Sequence, residues 1–301
     1  MTNDRGHTPP PAPPGAGSPG RPGRPPLHTP SGLNLYRRCP EAYNLRYRVR
    51  QPAPETPSPA LARGIAVHEV LARCARQYQA QGTLPTGWPA RLAARLPRAA
   101  YPDAAAWGDD LDAARRQVAV GLRNLDPRLE VVAVERFWRW TWPGDRALAP
   151  FTLGAKIDLV LAGTDDRGAR YLDVIDYATG QGRRVDPIQE LVERLVVQAN
   201  LGGDYAYIVS TTAWLALAAS WSAVRDEDEC RATWRAIRGL AHAIATDPIM
   251  APTPSALCQW CDYYGNGCVL DRPRVGAPDA GRDLARWLEA TEDEEGEATS
   301  A

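Results

Sequence analysis

The spacing of apolar residues changes along the chain, and it predicts helices on both sides of a central block of strands. Apolar positions recur at helical spacing in five segments, which are 31–48, 64–80, 107–125, 186–201 and 226–246. Alternating or continuous apolar runs predict four strands, over 131–142, 151–163, 169–180 and 213–220. The pattern therefore predicts an α+β fold, a small mixed β-sheet flanked by helices.

Two local signals refine these boundaries. Ser31 stands directly before the first helical pattern, which makes it a candidate N-cap residue. The segment TDDRG, at 164–168, separates two predicted strands and has the composition of a hairpin turn. The second and third predicted strands are therefore expected to be antiparallel neighbours.

The two ends of the chain differ in composition from its body. Residues 1–30 contain ten prolines and five glycines and few apolar side chains, so they are expected to form a disordered tail. Residues 276–301 are expected to form an acidic, solvated tail. The predicted globular domain is therefore 31–275.

Composition excludes several classes of protein. The chain has 301 residues and a formal net charge of −1, so it carries no general basic coat for nucleic acid. No apolar run is long enough to cross a membrane, and no secretory signal begins the sequence, so we expect a cytoplasmic protein. Of the 35 basic residues 34 are arginine, and Lys156 is the single lysine.

Carboxylates occur on two neighbouring predicted strands. Asp158 shares a strand face with Lys156, and Asp176 lies on the next strand. Two such carboxylates can hold Mg²⁺ or Mn²⁺, which prefer oxygen ligands. Each aspartate taken alone is equally well explained as an exposed residue at a strand end.

Three segments resemble the RecB-like PD-(D/E)XK nuclease superfamily: RGIAVHEVL at 63–71, GAKIDLV at 154–160 and DVIDYATG at 173–180. A helix that carries Gln198 follows them, in the place of the family's Q-x-x-x-Y segment. The resemblance implies a restriction-endonuclease-like core that holds the catalytic metal.

The same resemblance implies roles for individual residues. His68, Asp158 and Asp176 would be metal ligands, assisted by the main-chain carbonyl of Tyr177. Glu135 is a weaker candidate for a supporting carboxylate on the first strand. Gln198 would belong to the catalytic set.

The sequence departs from the family pattern at two positions. The family's D-Y-K-T-G lysine is Ala178 here, and Gly202 stands where the tyrosine of Q-x-x-x-Y is expected, with Tyr205 as the nearest tyrosine. We expect Lys156 to replace the missing lysine from the neighbouring strand, because a compact ammonium fits beside a metal site. The alternative is an ordinary surface lysine.

Cysteines form a second candidate site. Cys258, Cys261 and Cys268 give a C-x₂-C-x₆-C pattern, and Cys39 is the expected fourth ligand. The spacing alone fits tetrahedral Zn²⁺ and a 4Fe–4S cluster equally well, and disulfides are a third interpretation. One cysteine before the core and three after it resemble AddB-type and CRISPR-associated iron–sulfur nucleases. That resemblance implies a structural 4Fe–4S cluster that joins the N- and C-terminal parts.

A nuclease also needs contacts to phosphates. Arg183 and Arg184 follow the predicted strand that carries Asp176, so they are candidate DNA-binding residues, although each could equally be a solvated arginine. The tryptophans of the first strand are expected mostly to pack against the sheet.

These patterns predict a metal-dependent, exonuclease-like deoxyribonuclease in DNA recombination, repair or defence. No P-loop is present, so a helicase or recombination partner would be a separate chain. One alternative is an inactive pseudo-nuclease that binds DNA or docks a partner, which Ala178 favours. Another is a zinc-stabilised scaffold without DNA binding.

Overall fold

The computed structural model describes residues 25–52 and 58–270. The chain divides into two compact units, one that extends to Thr253 and one that begins at Pro254. The expected acidic tail at 276–301 and residues 1–24 of the expected N-terminal tail lie outside the described residues. The predicted 31–275 domain stays a prediction.

The first unit has an α+β architecture, as predicted. Its helices are α1 (Pro30–Arg38), α2 (Pro40–Tyr43), α3 (Pro59–Gln81), α4 (Trp88–Arg95), α5 (Ala104–Leu122), α6 (Pro187–Leu201) and α7 (Glu227–Thr246). Its strands are β1 (Leu27–His28), β2 (Glu130–Trp142), β3 (Phe151–Thr164), β4 (Arg170–Ala178), β5 (Tyr207–Trp214) and β6 (Ala219–Ala223). Within the described residues these six strands form one mixed sheet.

Strand β3 organises the sheet because it has three neighbours. Antiparallel β2 pairs with it along one edge over nearly its whole length. On the other edge, antiparallel β4 pairs with residues 159–164, and parallel β1 pairs with residues 152–153. Neither β1 nor β4 forms ladder pairs with residues 154–158, so this stretch, here called the β3 gap, is open on that edge.

Helices α3 and α5 build the main core against the sheet. Leu71 and Val118 pack with Leu159 and Ile175 of the two central strands. Gly121 of α5 lies so close to Leu71 that a β-carbon there would be 2.7 Å from its methyl groups. Helix α3 is therefore pressed against α5 and held in a fixed position relative to β3.

The N-terminal boundary differs from the prediction. Thr29, not Ser31, caps α1, since its side chain accepts a hydrogen bond from the Gly32 N–H and Pro30 occupies the first turn. Leu27 and His28 lie inside the expected tail 1–30, yet they form β1. Their two-residue pairing with β3 depends on a distant partner, which no local pattern shows.

Two further differences concern elements that the apolar pattern misread. The expected strand at 213–220 was wrong: the chain leaves β5 at Trp214 and turns at Ala218, whose φ of 49° is left-handed, before β6 begins. Helix α4 was not predicted at all. The hairpin at 164–168 is present, and Asp165 closes it by accepting hydrogen bonds from the Arg167 and Ala169 N–H groups.

None of the helices in the described ranges is long and apolar enough to cross a membrane.

His28 is an ionisable residue inside the core. It is 4% exposed, it packs edge-to-face on Phe151 at 5.7 Å, and its Nδ1 has no hydrogen-bond partner among the described residues. Burial lowers the pKa of His28 from 6.5 to about 4, because a charged imidazole would lose its hydration there. The folded chain therefore holds His28 neutral.

We expect stability to fall as the pH drops from 6.5 to about 4, the window between the unfolded and folded pKa values of His28. In that window the unfolded chain binds a proton that the folded chain excludes, which costs up to about 3 kcal/mol. Urea unfolding of wild type and His28→Leu across this range measures the effect. The stability difference between the two should shift in favour of His28→Leu at acid pH; parallel curves would contradict this.

Candidate functional site

Three potential metal ligands converge beside the β3 gap. The ligand atoms of His68, Glu135 and Asp158 all lie within 4.8 Å of one another, and no other group of three does so in the described parts of the chain. His68 Nδ1 is 3.2 Å from Asp158 Oδ1 and 3.9 Å from Glu135 Oε1. One nitrogen and two carboxylate groups therefore face a common centre.

Strand register brings two of these residues together. Val134 pairs with Leu159 and Arg136 with Ile157, so Glu135 lies directly across from Asp158. Glu135 has a φ of 51°, in the left-handed region that residues with a β-carbon rarely adopt. Such strain persists only where the surrounding structure holds it, and it is concentrated at functional sites.

Asp158 also determines where β3 and β4 separate. The ladder between them ends at the Leu159–Ile175 pair. One step further, Asp158 Oδ2 accepts a hydrogen bond from the Tyr177 main-chain N–H at 2.9 Å, where a ladder bond would otherwise stand. The two oxygens of Asp158 thus serve different partners, His68 and Tyr177.

Asp176 lies beside this group, and helix α6 holds its carboxylate. Gln189 Nε2 donates to Asp176 Oδ1 at 2.8 Å and to Glu193 Oε1 at 3.0 Å. Burial and the negative charge of Asp158 raise the pKa of Asp176 to about 6. Burial, with the charge of Asp176, raises the pKa of Glu193 well above its usual value.

Two cationic groups face these carboxylates. Burial opposes a charged His68, but the hydrogen bond and charge of Asp158, together with the charges of Glu135 and Asp176, raise its pKa. The Lys156 ammonium contacts Glu135 Oε2, while the lysine side chain is 59% exposed. The single lysine of the chain therefore lies at the edge of the site and remains open to solvent.

The structure brings most of the predicted site residues together. His68 contacts Asp158 and Glu135, Lys156 contacts Glu135, and Asp176 is a neighbour of Asp158 and His68. The Tyr177 side chain is buried; its ring lies 6.3 Å from that of His68, and its hydroxyl donates to the Gly121 carbonyl.

Two predicted residues lie elsewhere. Gln198 follows Gln189 by nine residues, about two and a half helical turns, so it projects from the opposite side of α6 and is exposed beside Gly202. Tyr205 contacts Arg170 at the beginning of β4, about 20 Å along that strand from Asp176.

The loop between β4 and α6 carries the two predicted DNA-binding arginines. Arg183 and Arg184 are both exposed there, seven and eight residues after Asp176. Their positions leave both side chains free to approach a ligand from solvent.

Gln189 and Glu193 are site residues that the sequence analysis missed. Their four-residue spacing puts them on one face of α6, which begins at the Asp186 N-cap soon after β4. The available signal was a glutamine in the first turn of the helix. Gln198 matches the family's Q-x-x-x-Y segment only in its glutamine, since Gly202 stands at the tyrosine position.

The cysteines fall in both units. Cys258 and Cys261 flank the end of a 3₁₀ turn (Ala256–Trp260) in the second unit, and Gly265 and Gly267 then turn the chain with left-handed φ angles of 75° and 94° before Cys268. In the first unit, Cys39 separates α1 from α2. Among the described residues, Cys39, Cys74, Cys230, Cys258 and Cys261 form no disulfide.

The chain belongs to the PD-(D/E)XK nuclease superfamily. The family match covers residues 28–265, which is most of the chain and includes His68, Glu135, Asp158 and Asp176. Nucleases of this superfamily generally use divalent metal ions, and membership implies DNA as the substrate class.

The other comparisons add no function. A solved structure described as "Crystal structure of SSO0001" is 14% identical, over 80% of this chain and 96% of that chain, with a TM-score of 0.31. No curated protein matches the chain.

The residues present fit a divalent cation. Two carboxylates and one imidazole approach one another within 4.8 Å, and hard cations such as Mg²⁺ and Mn²⁺ take oxygen and nitrogen ligands of this kind. Burial and the charge of Asp158 raise the pKa of Asp176, so a cation bound beside these carboxylates would favour their ionised forms.

We expect Mn²⁺ binding to depend on the converging ligands. Asp158→Asn should abolish calorimetrically measured Mn²⁺ binding, since it removes a charged ligand. Gln189→Leu should weaken binding by about 10- to 100-fold, because it frees a carboxylate that a neighbouring amide positions. The matched control is Asp166→Asn in the exposed hairpin, which should bind Mn²⁺ like wild type. Equal loss in all three variants would refute a site at Asp158.

Proposed function

We propose that this chain is a metal-dependent deoxyribonuclease of the RecB-like type. The observation that carries the proposal is the convergence of His68, Glu135 and Asp158 within 4.8 Å, inside a chain that belongs to a nuclease superfamily. The reaction is hydrolysis of a phosphodiester bond, with water as the nucleophile.

Each residue of the site has a role in this proposal. His68, Glu135 and Asp158 would hold the cation, with Asp176 and the Tyr177 carbonyl completing the set. When bound, the cation supplies Lewis-acid chemistry, since it neutralises charge on phosphate oxygens and makes water more acidic. Gln189 fixes the orientation of Asp176 through its 2.8 Å hydrogen bond.

Lys156 would supply the positive charge that Ala178 lacks. Its ammonium contacts Glu135 and its side chain remains largely exposed, so a phosphate at the site could take it as a partner. A charge that is already positioned where negative charge develops lowers the reaction barrier. The nearby exposed Arg183 and Arg184 would bind the flanking phosphates.

We expect end-labelled DNA to be cut by wild type with Mg²⁺ or Mn²⁺ and left intact with a chelator. Asp158→Ala should be inactive, and Lys156→Ala should lose about 10²- to 10³-fold in kcat, the usual cost of one charge-stabilising group. Lys156→Arg should recover part of that loss. The control is Arg167→Ala in the distant hairpin, which should cut normally.

A chain that binds Mn²⁺ and DNA but cuts neither strand would support the alternative, a pseudo-nuclease that acts as a DNA-binding or partner-docking module. Full activity of Lys156→Ala would leave the nuclease intact and remove Lys156 from its mechanism.

We further propose that Cys39, Cys258, Cys261 and Cys268 hold a 4Fe–4S cluster, as in the AddB-type and CRISPR-associated branch. The left-handed glycines before Cys268 support this, because they let a short loop return towards the Cys258–Cys261 turn. Zinc is the rival occupant, and four thiolates suit it equally. Recombination, repair or defence, with a helicase or recombination partner in trans, is the corresponding setting.

Metal analysis of anaerobically purified chain should find about four irons and visible absorbance. Cys258→Ser and Cys39→Ser should each lose both, while Cys230→Ser, which changes a half-buried thiol beside Arg194, should retain them. About one zinc per chain without iron would establish the rival site. Cluster retention in Cys39→Ser would show that another group is the fourth ligand.

A further inference from the structure

An exposed aromatic ring lies next to the candidate metal site. Phe137 pairs with Lys156 across β2 and β3, two residues along each strand from Glu135 and Asp158. The phenylalanine is 43% exposed. Residues two apart on a strand share a face and are about 7 Å apart. The ring is therefore close enough to the converging ligands for one nucleotide to span the distance.

The Phe137 ring packs against a glycine of β3. A β-carbon built on Gly154 would lie only 2.8 Å from Phe137 Cζ and 2.9 Å from the Leu27 side chain. Glycine at position 154 therefore leaves space for the ring to lie on β3. The Arg139 guanidinium stands 5.3 Å from the ring centroid, within cation–π distance.

Two tryptophans of β2, by contrast, have aromatic packing partners. Trp140 and Trp142 both contact Trp234 of α7, and Trp142 also contacts Phe151. Phe137 lies against Gly154 and beside the Arg139 guanidinium, and 43% of its surface faces solvent. An exposed phenylalanine gains little for the core, whereas an aromatic face beside a cation is what unpaired bases stack on.

We propose that Phe137 and Arg139 form a stacking platform for an unpaired base next to the scissile phosphate, and that the substrate is therefore single-stranded DNA. This inference rests on the proposed nuclease function, which places the phosphate at His68, Glu135 and Asp158. The base stacks on Phe137, and Arg139 contributes its planar cation. A base inside an intact duplex presents no free face, so paired DNA gains nothing from the platform.

The test uses the full chain carrying Asp158→Asn, which prevents cutting, and single-stranded oligonucleotides with 2-aminopurine at successive positions. Stacking on Phe137 should quench the fluorescence at one position. Phe137→Leu, which keeps an apolar side chain without a ring, should lose that quench and weaken binding by about 5- to 100-fold. Phe137→Tyr should restore both, and affinity for a blunt duplex should be the same in all variants.

The matched control is Trp221→Leu. Trp221 lies on β6, and its ring centroid is 4.7 Å from the Arg225 guanidinium, so this variant also removes a ring that contacts an arginine. Trp221→Leu should bind single-stranded DNA and quench 2-aminopurine fluorescence to the same extent as the chain that carries Asp158→Asn alone. Arg139→Gln is a second variant, and it should weaken single-strand binding without moving the quenched position. If Phe137→Leu leaves single-strand affinity and the fluorescence quench unchanged, the platform proposal is wrong. It is also wrong if Phe137→Leu weakens duplex binding as much as single-strand binding.

Failure of the nuclease proposal gives a different result. If wild type does not cut but Phe137→Leu still loses the quench, the platform stands as a single-strand binding site. If wild type cuts and Phe137→Leu cuts single strands equally well, the nuclease stands and the platform is wrong.

Discussion

Concentrated negative charge is the constraint on which this structure depends. Glu135, Asp158, Asp176 and Glu193 come from four different elements and meet in a partly buried site, where burial and the neighbouring carboxylates raise the pKa values of Asp176 and Glu193. His68, Lys156 and the Gln189 amide offset only part of this repulsion. The fold thus gives up stability to keep a strongly cation-attracting centre, a compromise common at functional sites.

Local geometry around the site follows from holding these groups in place. Asp158 replaces a ladder bond to Tyr177, so the strands can separate without leaving that N–H unpaired. Glu135 adopts a left-handed backbone to bring its carboxylate across from Asp158. Helix α3, pressed against α5 at Gly121, carries His68 to the same point. The same pair of strands, β2 and β3, carries two candidate ligands, Glu135 and Asp158, together with Lys156 and the Phe137 ring, so the proposed substrate binding and chemistry share one support.

Sequence periodicity predicted the α+β class and the β2–β4 block, because alternation and turn chemistry are local properties. The candidate ligands on that block were implied by the family resemblance. Periodicity failed where a residue's role depends on a distant partner. No local pattern around His28 predicts a strand. No local pattern around Gln189 indicates that its side chain contacts Asp176. The apolar run at 213–220 concealed the turn at Ala218, since alanine rarely takes a left-handed conformation. Nothing in the local pattern distinguishes Phe137 from the tryptophans beside it, and only the register of β2 on β3 places it next to the candidate site.

The short β1 has a consequence for how the chain folds. His28 pairs with Leu153, so one edge of the β3 gap closes only when segments 125 residues apart meet. A ribosome adding about 5–20 residues per second makes the second segment roughly 6 to 25 s after the first. Leu27 and His28 must wait through that interval for the strand they pair with, and the apolar face of α1 waits longer for α6 and α7. The edge of the sheet beside the candidate metal site is therefore completed late in folding.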